Sequence, residues 1–326
     1  MKLDIRAISK DYSNKNILVI GDIILDVYIY GKVDRVSQEA PVPIVSVDHK
    51  EYKPGGAANV ALNLAGLGAR VTLMGIAGIG ENHEHLKNCF SDKDKINYKV
   101  IESKSRPTSV KTRIIADKRQ LARLDNEILD EISAKDESFL IDNFYKNIKN
   151  YDGVILQDYN KGLLTSTLIE NLLNCSNKNE VPVYVDPKFN NYLSYKGARL
   201  FKPNLLEYNT LVKKEDLGSL PESGFHFKDY INSEILLLTL GSSGMSLYYD
   251  GMHESIPTKA RQVFDVSGAG DTVIATFALN DLCGLKPLES AIIANLAAGR
   301  VCEDIGVSPI TIDSLIDIFS HHYSLD

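Results

Sequence analysis

The sequence predicts an α/β fold: a doubly wound, mainly parallel sheet flanked by helices, with a small separate β-sheet lying over one edge. Three observations carry this. From about residue 153 onward, apolar strand-like runs alternate with helical stretches, the rhythm that builds a parallel sheet with right-handed crossovers. The run ILVIGDIIL (17–25) is almost continuously apolar, as expected of a strand buried on both faces; only Gly21-Asp22 interrupts it. Finally, VYIYGKV and PIVSVDHKEY, and a second block over about 97–125, alternate polar and apolar residues. That pattern marks a sheet with one face in solvent and does not fit the βα rhythm.

Taken in order, 17–25 reads as the first strand, reaching a site at its end, and the first alternating block follows it. GAANVALNLAGL (56–67) reads as a helix of small residues and RVTLMGIAG (70–78) as the next strand. After the second alternating block come GVILQDY and a helix near 165–175, then VPVYVDP, ARLFKPN with a helix behind it, EILLLTLG and MSLYYDG. Helices around 270–283, 287–303 and 311–321 close the chain. No repeat or low-complexity tract divides it, so a single domain over 1–326 is expected, with the small sheet formed by about 27–53 and 97–125.

At 326 residues, 44% hydrophobic and 24% charged, the chain has the composition of a globular protein with a substantial core. Its net charge of -7 argues against a sequence-independent nucleic-acid binder, but local lysines and helix N-termini can still hold a small anion. Cys89, Cys175, Cys283 and Cys302 are dispersed, with no C-x-x-C pair. They indicate neither a zinc site nor a disulfide framework, and suit buried thiols in a reducing compartment. MKLDIRAISKDYSNKN lacks an apolar signal core, and no stretch reaches membrane-spanning length. A cytoplasmic location without membrane partners is expected.

The chemistry concentrates in VFDVSGAGDT (263–272). A strand, a turn through Gly268-Ala269-Gly270 and a helix from about Asp271 would present backbone N–H groups at a helix N-terminus, where glycine lets a ligand approach and the dipole favours negative charge. This reads as a phosphate cradle, although neither G-x-x-x-x-G-K-[ST] nor G-x-G-x-x-G occurs. Asp271 beside it could take a proton from an attacking hydroxyl, or could merely favour the helix N-terminus. Gly55-Gly56 enters a helix carrying Asn59, and Gly21-Asp22 and Asp26 lie around the end of the first strand, where open α/β sheets bind ligands. Asn204 and Glu207, three apart at a strand-to-helix junction, could face one metal-water cluster or could form a capping box.

GGAANVALNLAGLG together with DVSGAGDT, in this order and with N-x-x-E between them, resembles the paired signatures of ribokinase-like (PfkB-type) sugar kinases over essentially the whole chain. Within that family, GDIILDVYIYGKVDRVSQEAPVPIV (21–45), RPTSVKTR (106–113), RQLARLDNE (119–127), QDYNKGLL (157–164) and VDPK (185–188) are most similar to kinases of D-glycero-β-D-manno-heptose 7-phosphate. The resemblance implies ATP-dependent phosphorylation of the anomeric hydroxyl to the 1,7-bisphosphate, for synthesis of a nucleotide-activated heptose of a bacterial surface glycan such as lipopolysaccharide. It makes the small sheet a lid. It also implies Asp271 as base, Gly268, Ala269 and Gly270 as anion hole, and Asp26, Gly55, Gly56 and Asn59 as sugar contacts. Lys111, Arg123, Lys161 and Lys188 are the candidates for the substrate's phosphate; Asn204, Thr239, Gly241, Gly244 and Asn295 fall to ATP, and Glu207 to Mg²⁺ through water. A monovalent cation and a homodimer formed through the lid are further expectations.

Some positions depart from the family pattern. Val266 stands where threonine is common, and Leu240 where an arginine or lysine often meets the nucleotide phosphates. Gln157 and Asn160 replace residues usual in their segment. No H-x-G-H motif occurs, so the nucleotidyltransferase to which some heptose kinases are fused is expected in another protein. Three rivals remain: a family member acting on another sugar, sugar phosphate or nucleoside; a silent binding protein, which would not need a base at the anion hole; and a nicotinamide oxidoreductase, against which the missing fingerprint counts.

Overall fold

The structure is a computed structural model and describes residues 4–322 except 118, 216–221, 260–262 and 305. Lys118, inside the expected lid, therefore lies outside the described residues. The chain begins α1 (Ile5–Tyr12), β1 (Asn16–Gly21), β2 (Ile23–Val36), β3 (Pro43–Gly56), α2 (Ala57–Gly66), β4 (Arg70–Gly78), α3 (Glu81–Asn88) and β5 (Ile96–Ser103). β6 (Ser109–Ala116), β7 (Arg119–Asn126), α4 (Ala134–Asn147), β8 (Gly153–Gln157), α5 (Ser166–Lys178), β9 (Val183–Asp186) and β10 (Leu200–Phe201) follow. It ends α6 (Leu205–Glu215), α7 (Glu222–Tyr230), β11 (Ile235–Thr239), β12 (Met245–Tyr249), β13 (Met252–Ile256), α8 (Ala269–Leu282), α9 (Pro287–Val301) and α10 (Ile312–His322).

Nine strands form the main sheet in the order β13-β12-β11-β10-β9-β8-β1-β4-β5, parallel except for the β12 and β13 edge. Along β1, Ile17 and Val19 enter one core while Leu18 and Ile20 enter the other. Because both faces are covered, the strand reads as an unbroken apolar run rather than an alternating one. α8 is buried from Asp271 to Asn280. A helix covered on every side has no polar stripe to keep, and each buried side chain such as Phe277 contributes about 1.5–3 kcal/mol.

The second sheet has the order β3-β2-β6-β7, so the small sheet expected from the alternating blocks is present. Two boundaries differ from the expectation. The run 17–25 is not one strand: it leaves the main sheet at Asp22, whose N–H donates to the Gln157 carbonyl (3.0 Å) and whose carbonyl accepts from the Ala57 N–H (3.0 Å). Beyond that point Ile23 begins the small sheet. Residues 97–103, read as the start of the lid's second part, instead belong to β5, paired in parallel with β4 at the main sheet's edge. An edge strand is half exposed and alternates just as a lid strand does, so patterning alone could not separate the two.

Candidate active site

Adjacent parallel strands end at one level, and their last residues form the floor of the site. Gly21 pairs with Gln157 and Gln157 with Asp186, while the Lys202 N–H donates to the Val185 carbonyl beside them (2.9 Å). Buried there, the Lys202 ammonium pairs with Asp186 Oδ2 at 3.0 Å. Above this floor stands the first turn of α8. Its cap, Gly268, has φ +81°, and a Cβ there would lie 2.8 Å from Asn59 Nδ2. A side chain would thus be both strained and in the way. At Gly270 an added Cβ would meet the Lys202 ammonium at 3.5 Å and Asp186 Oδ2 at 3.9 Å, both ordinary contacts.

Asp271, 3% exposed, accepts hydrogen bonds from three uncharged donors. Asn59 Nδ2 donates to Oδ2 at 2.7 Å; Gln157 Nε2 and the Tyr159 hydroxyl donate to Oδ1 at 3.0 and 2.9 Å. Burial pushes its pKa up to about 7 and the Asp186 charge adds to the rise, while the Asn59 and Tyr159 hydrogen bonds and Lys202 restrain it. A carboxylate poised near neutrality, at a helix N-terminus, is suited to accept a proton. Asn59 thus sits against this carboxylate, held from behind by Asn63 Nδ2 on its Oδ1 (3.2 Å).

A cleft of about 690 Å³ opens from this point. Gly268, Ala269 and Gly270 line it together with Lys188, Lys202 and Asp186. Thr239, Gly241, Gly244, Asn295 and Asn204 line it as well, so all the expected nucleotide residues face one space. Asn204 and Glu207 form the capping box that was the alternative reading: the Glu207 N–H donates to Asn204 Oδ1 (2.9 Å) and the Asn204 N–H to Glu207 Oε2 (2.8 Å). Glu207 Oε1 accepts from Lys188, so both carboxylate oxygens of Glu207 are engaged. Burial opposes the Lys188 charge, but Asp186 and Glu207 outweigh it and hold its pKa above the ordinary lysine value. Among the described residues no group of three or more His, Cys, Asp or Glu is arranged for a metal ion.

The lid strands carry a second set of charges. Their register sets Lys53, Asp26, Lys111 and Asp125 in one row and Glu51, Tyr28, Arg113 and Arg123 in the next but one. Since side chains alternate, both rows share a face. Asp26, 5% exposed, is paired with Arg113; burial raises its pKa while Arg113 draws it back. Gly55 makes room for it, because a Cβ there would lie 2.2 Å from Asp26 Oδ2. Gly56 ends the same strand. Lys111 stands 4.0 Å from Asp125, and burial followed by the nearby Lys161 lowers its pKa. Lys161 donates to Glu127 at 2.6 Å. Arg123 is half exposed and donates to Asp125 at 3.0 Å.

Lys111, Arg123 and Lys161 therefore gather at the lid, whereas Lys188 lines the cleft. Reading the sequence missed Tyr159, Asp186, Lys202 and Arg113. One signal was available: the strands GVILQDY, VPVYVDP and ARLFKPN each end in a polar or charged group, at the sheet end where ligands bind.

Residues 14–313 match the pfkB family of carbohydrate kinases. The bifunctional protein HldE of Sulfurimonas denitrificans is 40% identical over 92% of this chain and 63% of its own length; that of Geobacter sulfurreducens is 39% identical over 91% and 61%. The chain thus spans under two thirds of these relatives. Among solved structures, phosphofructokinase-2 from Escherichia coli in complex with potassium superposes with a TM-score of 0.78 at 17% identity, covering 94% of this chain and 99% of that one. Arabidopsis thaliana ribokinase complexed with ribose and ATP gives 0.68 at 19% identity, covering 93% and 98%. At these identities the solved structures speak for the fold.

Proposed function

The chain belongs to the pfkB family of carbohydrate kinases and is an ATP-dependent sugar kinase; we propose that its acceptor is D-glycero-β-D-manno-heptose 7-phosphate, phosphorylated at the anomeric hydroxyl. The observation that carries the acceptor reading is the charged lid face. Lys111 and Arg113 flank Asp26, so a sugar held by Asp26 with its anomeric hydroxyl at Asp271 directs a distal phosphate toward cations. Similarity to the bifunctional HldE proteins supports the same reading.

In this reading Asp271 takes the proton of the anomeric hydroxyl as its oxygen attacks the γ-phosphorus of ATP. The bond from that phosphorus to the β–γ bridging oxygen breaks, and ADP leaves carrying the electron pair. Phosphoryl transfer depends on alignment and neutralisation rather than on covalent chemistry. The N-terminus of α8 faces the transferred group, with Lys202 and Lys188 adding positive charge beside it. Mg²⁺ neutralises phosphate charge when bound with the nucleotide. Asn204, Thr239, Gly241, Gly244 and Asn295 receive the rest of ATP. The lid, closing over the acceptor, keeps water from competing for the phosphoryl group.

Two lesser features belong to the same reading. A monovalent cation binds the enzyme in this reading, by analogy with the potassium complex of phosphofructokinase-2. A second copy covers the lid, where Val36, Val47, Leu121 and Leu124 stand exposed and the open edges of β3 and β7 need protection.

ATP consumption against heptose 7-phosphate, unphosphorylated heptose, fructose 6-phosphate, ribose and adenosine tests the acceptor. Turnover confined to heptose 7-phosphate is expected. Preference for another sugar keeps the chemistry at Asp271 and overturns the acceptor; ATP binding without turnover on any of the five favours a silent protein.

A further inference from the structure

Asp22 sits where the chain passes from the main sheet to the lid sheet, and its polar groups reach all three donors that hold Asp271. Its N–H binds the carbonyl of Gln157 itself, and its carbonyl binds the N–H of Ala57, which opens the helix carrying Asn59. The buried carboxylate serves the third donor. Oδ2 accepts from the N–H groups of Tyr159 (2.8 Å) and Lys161 (3.0 Å), and Oδ1 accepts a longer contact from Leu163 (3.4 Å). Three N–H groups converging on one carboxylate hold the turn 159–163 in a single shape. This turn carries the Tyr159 hydroxyl to Asp271 Oδ1.

The two oxygens of Asp271 are unequally occupied as a result. A carboxylate oxygen offers about two lone pairs. Those of Oδ1 are taken by Gln157 and Tyr159, while among the described residues Oδ2 accepts from Asn59 alone. We propose that Asp22 is a positioning residue for phosphoryl transfer: by clamping the turn 159–163 it keeps the Tyr159 hydroxyl on Oδ1 of Asp271, which leaves Oδ2 to receive the acceptor's proton. This rests on Asp271 being the base. The other charged groups facing Asp271 are Lys202 and Asp186, which also accepts from Gln157 Nε2 (3.0 Å), while Asp158 and Arg106 face the Asp22 carboxylate.

A loop clamp with only a structural role would lower stability without altering the titration of the base; a positioning residue alters it. The test compares Tyr159→Phe, Asp22→Asn, their combination and Asp271→Asn, using ATP and whichever sugar of the panel wild type phosphorylates, heptose 7-phosphate first. Phenylalanine keeps the ring that lies under Lys188 and removes only the hydroxyl, so this variant folds even if Asp22→Asn does not. Tyr159→Phe is expected to lower kcat about tenfold and leave the KM for ATP within about twofold. The acid limb of kcat/KM should move up by about one pH unit, the size of one hydrogen bond to a charged group. Asp22→Asn, whose amide nitrogen cannot accept an N–H, should move the limb the same way. Because both changes remove one interaction, the double variant should lose little beyond the worse single.

An unmoved limb in Tyr159→Phe overturns the proposal, as do losses that multiply in the double variant. Asp271→Asn separates the two levels. Wild-type turnover in it sinks the assignment of the base, whereas an inactive Asp271→Asn beside an unmoved Tyr159→Phe limb sinks the positioning role alone.

Discussion

The two carboxylates proposed to hold the sugar are treated in opposite ways. Asp271 is buried among neutral donors and, among the described residues, has no cation in direct contact; Asp26 is also buried but is paired outright with Arg113. The consequence is a division of labour. Without a paired cation, the charge of Asp271 is held near its titration point, where a base works. At Asp26 burial also raises the pKa, but the Arg113 guanidinium draws it back, and a carboxylate held by a guanidinium stays a good hydrogen-bond acceptor, as a sugar contact should be. Around Asp26 the lid cations Lys111, Arg123 and Lys161 each have an acidic neighbour, which the proposed acceptor's phosphate would replace.

Removing the base should break this contrast most severely. Asp271→Asn is expected to lower kcat by about 10³-fold or more while the KM for ATP stays within a few-fold, since general base catalysis contributes about 10²–10⁴ and the cleft is unaltered. Steady-state kinetics at saturating ATP checks it, and a loss confined to KM would mean that Asp271 binds rather than reacts.

The lid side should answer in the other parameter. Lys111→Ala is expected to raise the acceptor KM about tenfold or more, with kcat and the KM for ATP nearly unchanged, because a charge-assisted contact to phosphate is made equally in ground and transition states. Its pKa, lowered by burial and by Lys161, rises again when an anion arrives. Equal KM values in wild type and variant for the phosphorylated acceptor would remove Lys111 from the site.

The two carboxylate environments also predict different pH behaviour. Burial pushes the Asp271 pKa up to about 7 in the folded protein, against an ordinary aspartate value of 3.8. A carboxylate whose pKa is raised by folding binds more protons folded than unfolded between those values. Stability therefore falls as pH rises from about 4 to about 7, by on the order of a few kcal/mol, and no further change from this group follows above pH 7. Urea melts across that window should show a flatter slope for Asp271→Asn than for wild type, and parallel slopes would contradict the burial argument. Activity runs the other way, with kcat/KM falling as pH drops below about 7 and the base protonates. The site is thus most reactive where its base costs the fold most.

How far these features were legible depended on whether their partners were local in sequence. The α8 cap was legible because Gly268-Ala269-Gly270-Asp271 is contiguous, and so was the Asn204–Glu207 pair, although its two readings were not separable until its hydrogen bonds were seen. Asp186 ends β9 and Lys202 directly follows β10, and nothing within either segment says that sheet order sets them side by side. Arg113 was within reach, since a spacing of two from Lys111 places both on one face of a strand. Tyr159 was quoted within its segment, but its role needs the 2.9 Å contact to a residue over a hundred positions away. The misplaced strand 96–103 failed for a different reason: one-sided exposure has the same period at a sheet edge as in a lid.

Arg123 offers the finest test of the comparison, with the smallest expected effect. It shares the face of Asp26 and lies across from Arg113, yet it is half exposed on β7, a strand exposed along its whole length. An exposed pair such as Arg123–Asp125 contributes about 0–1 kcal/mol and is screened by salt. Arg123→Ala should therefore change the acceptor KM no more than about threefold at 0.15 M salt, and somewhat more at 0.01 M, where the Debye length is about 30 Å. Acceptor KM measured at both salt concentrations decides the point. A loss larger than that of Lys111→Ala, unaffected by salt, would place the acceptor's phosphate on the outer strand rather than beside Asp26. The lid would then bind its ligand along its rim, and the row of paired charges around Asp26 would serve to hold the sheet together.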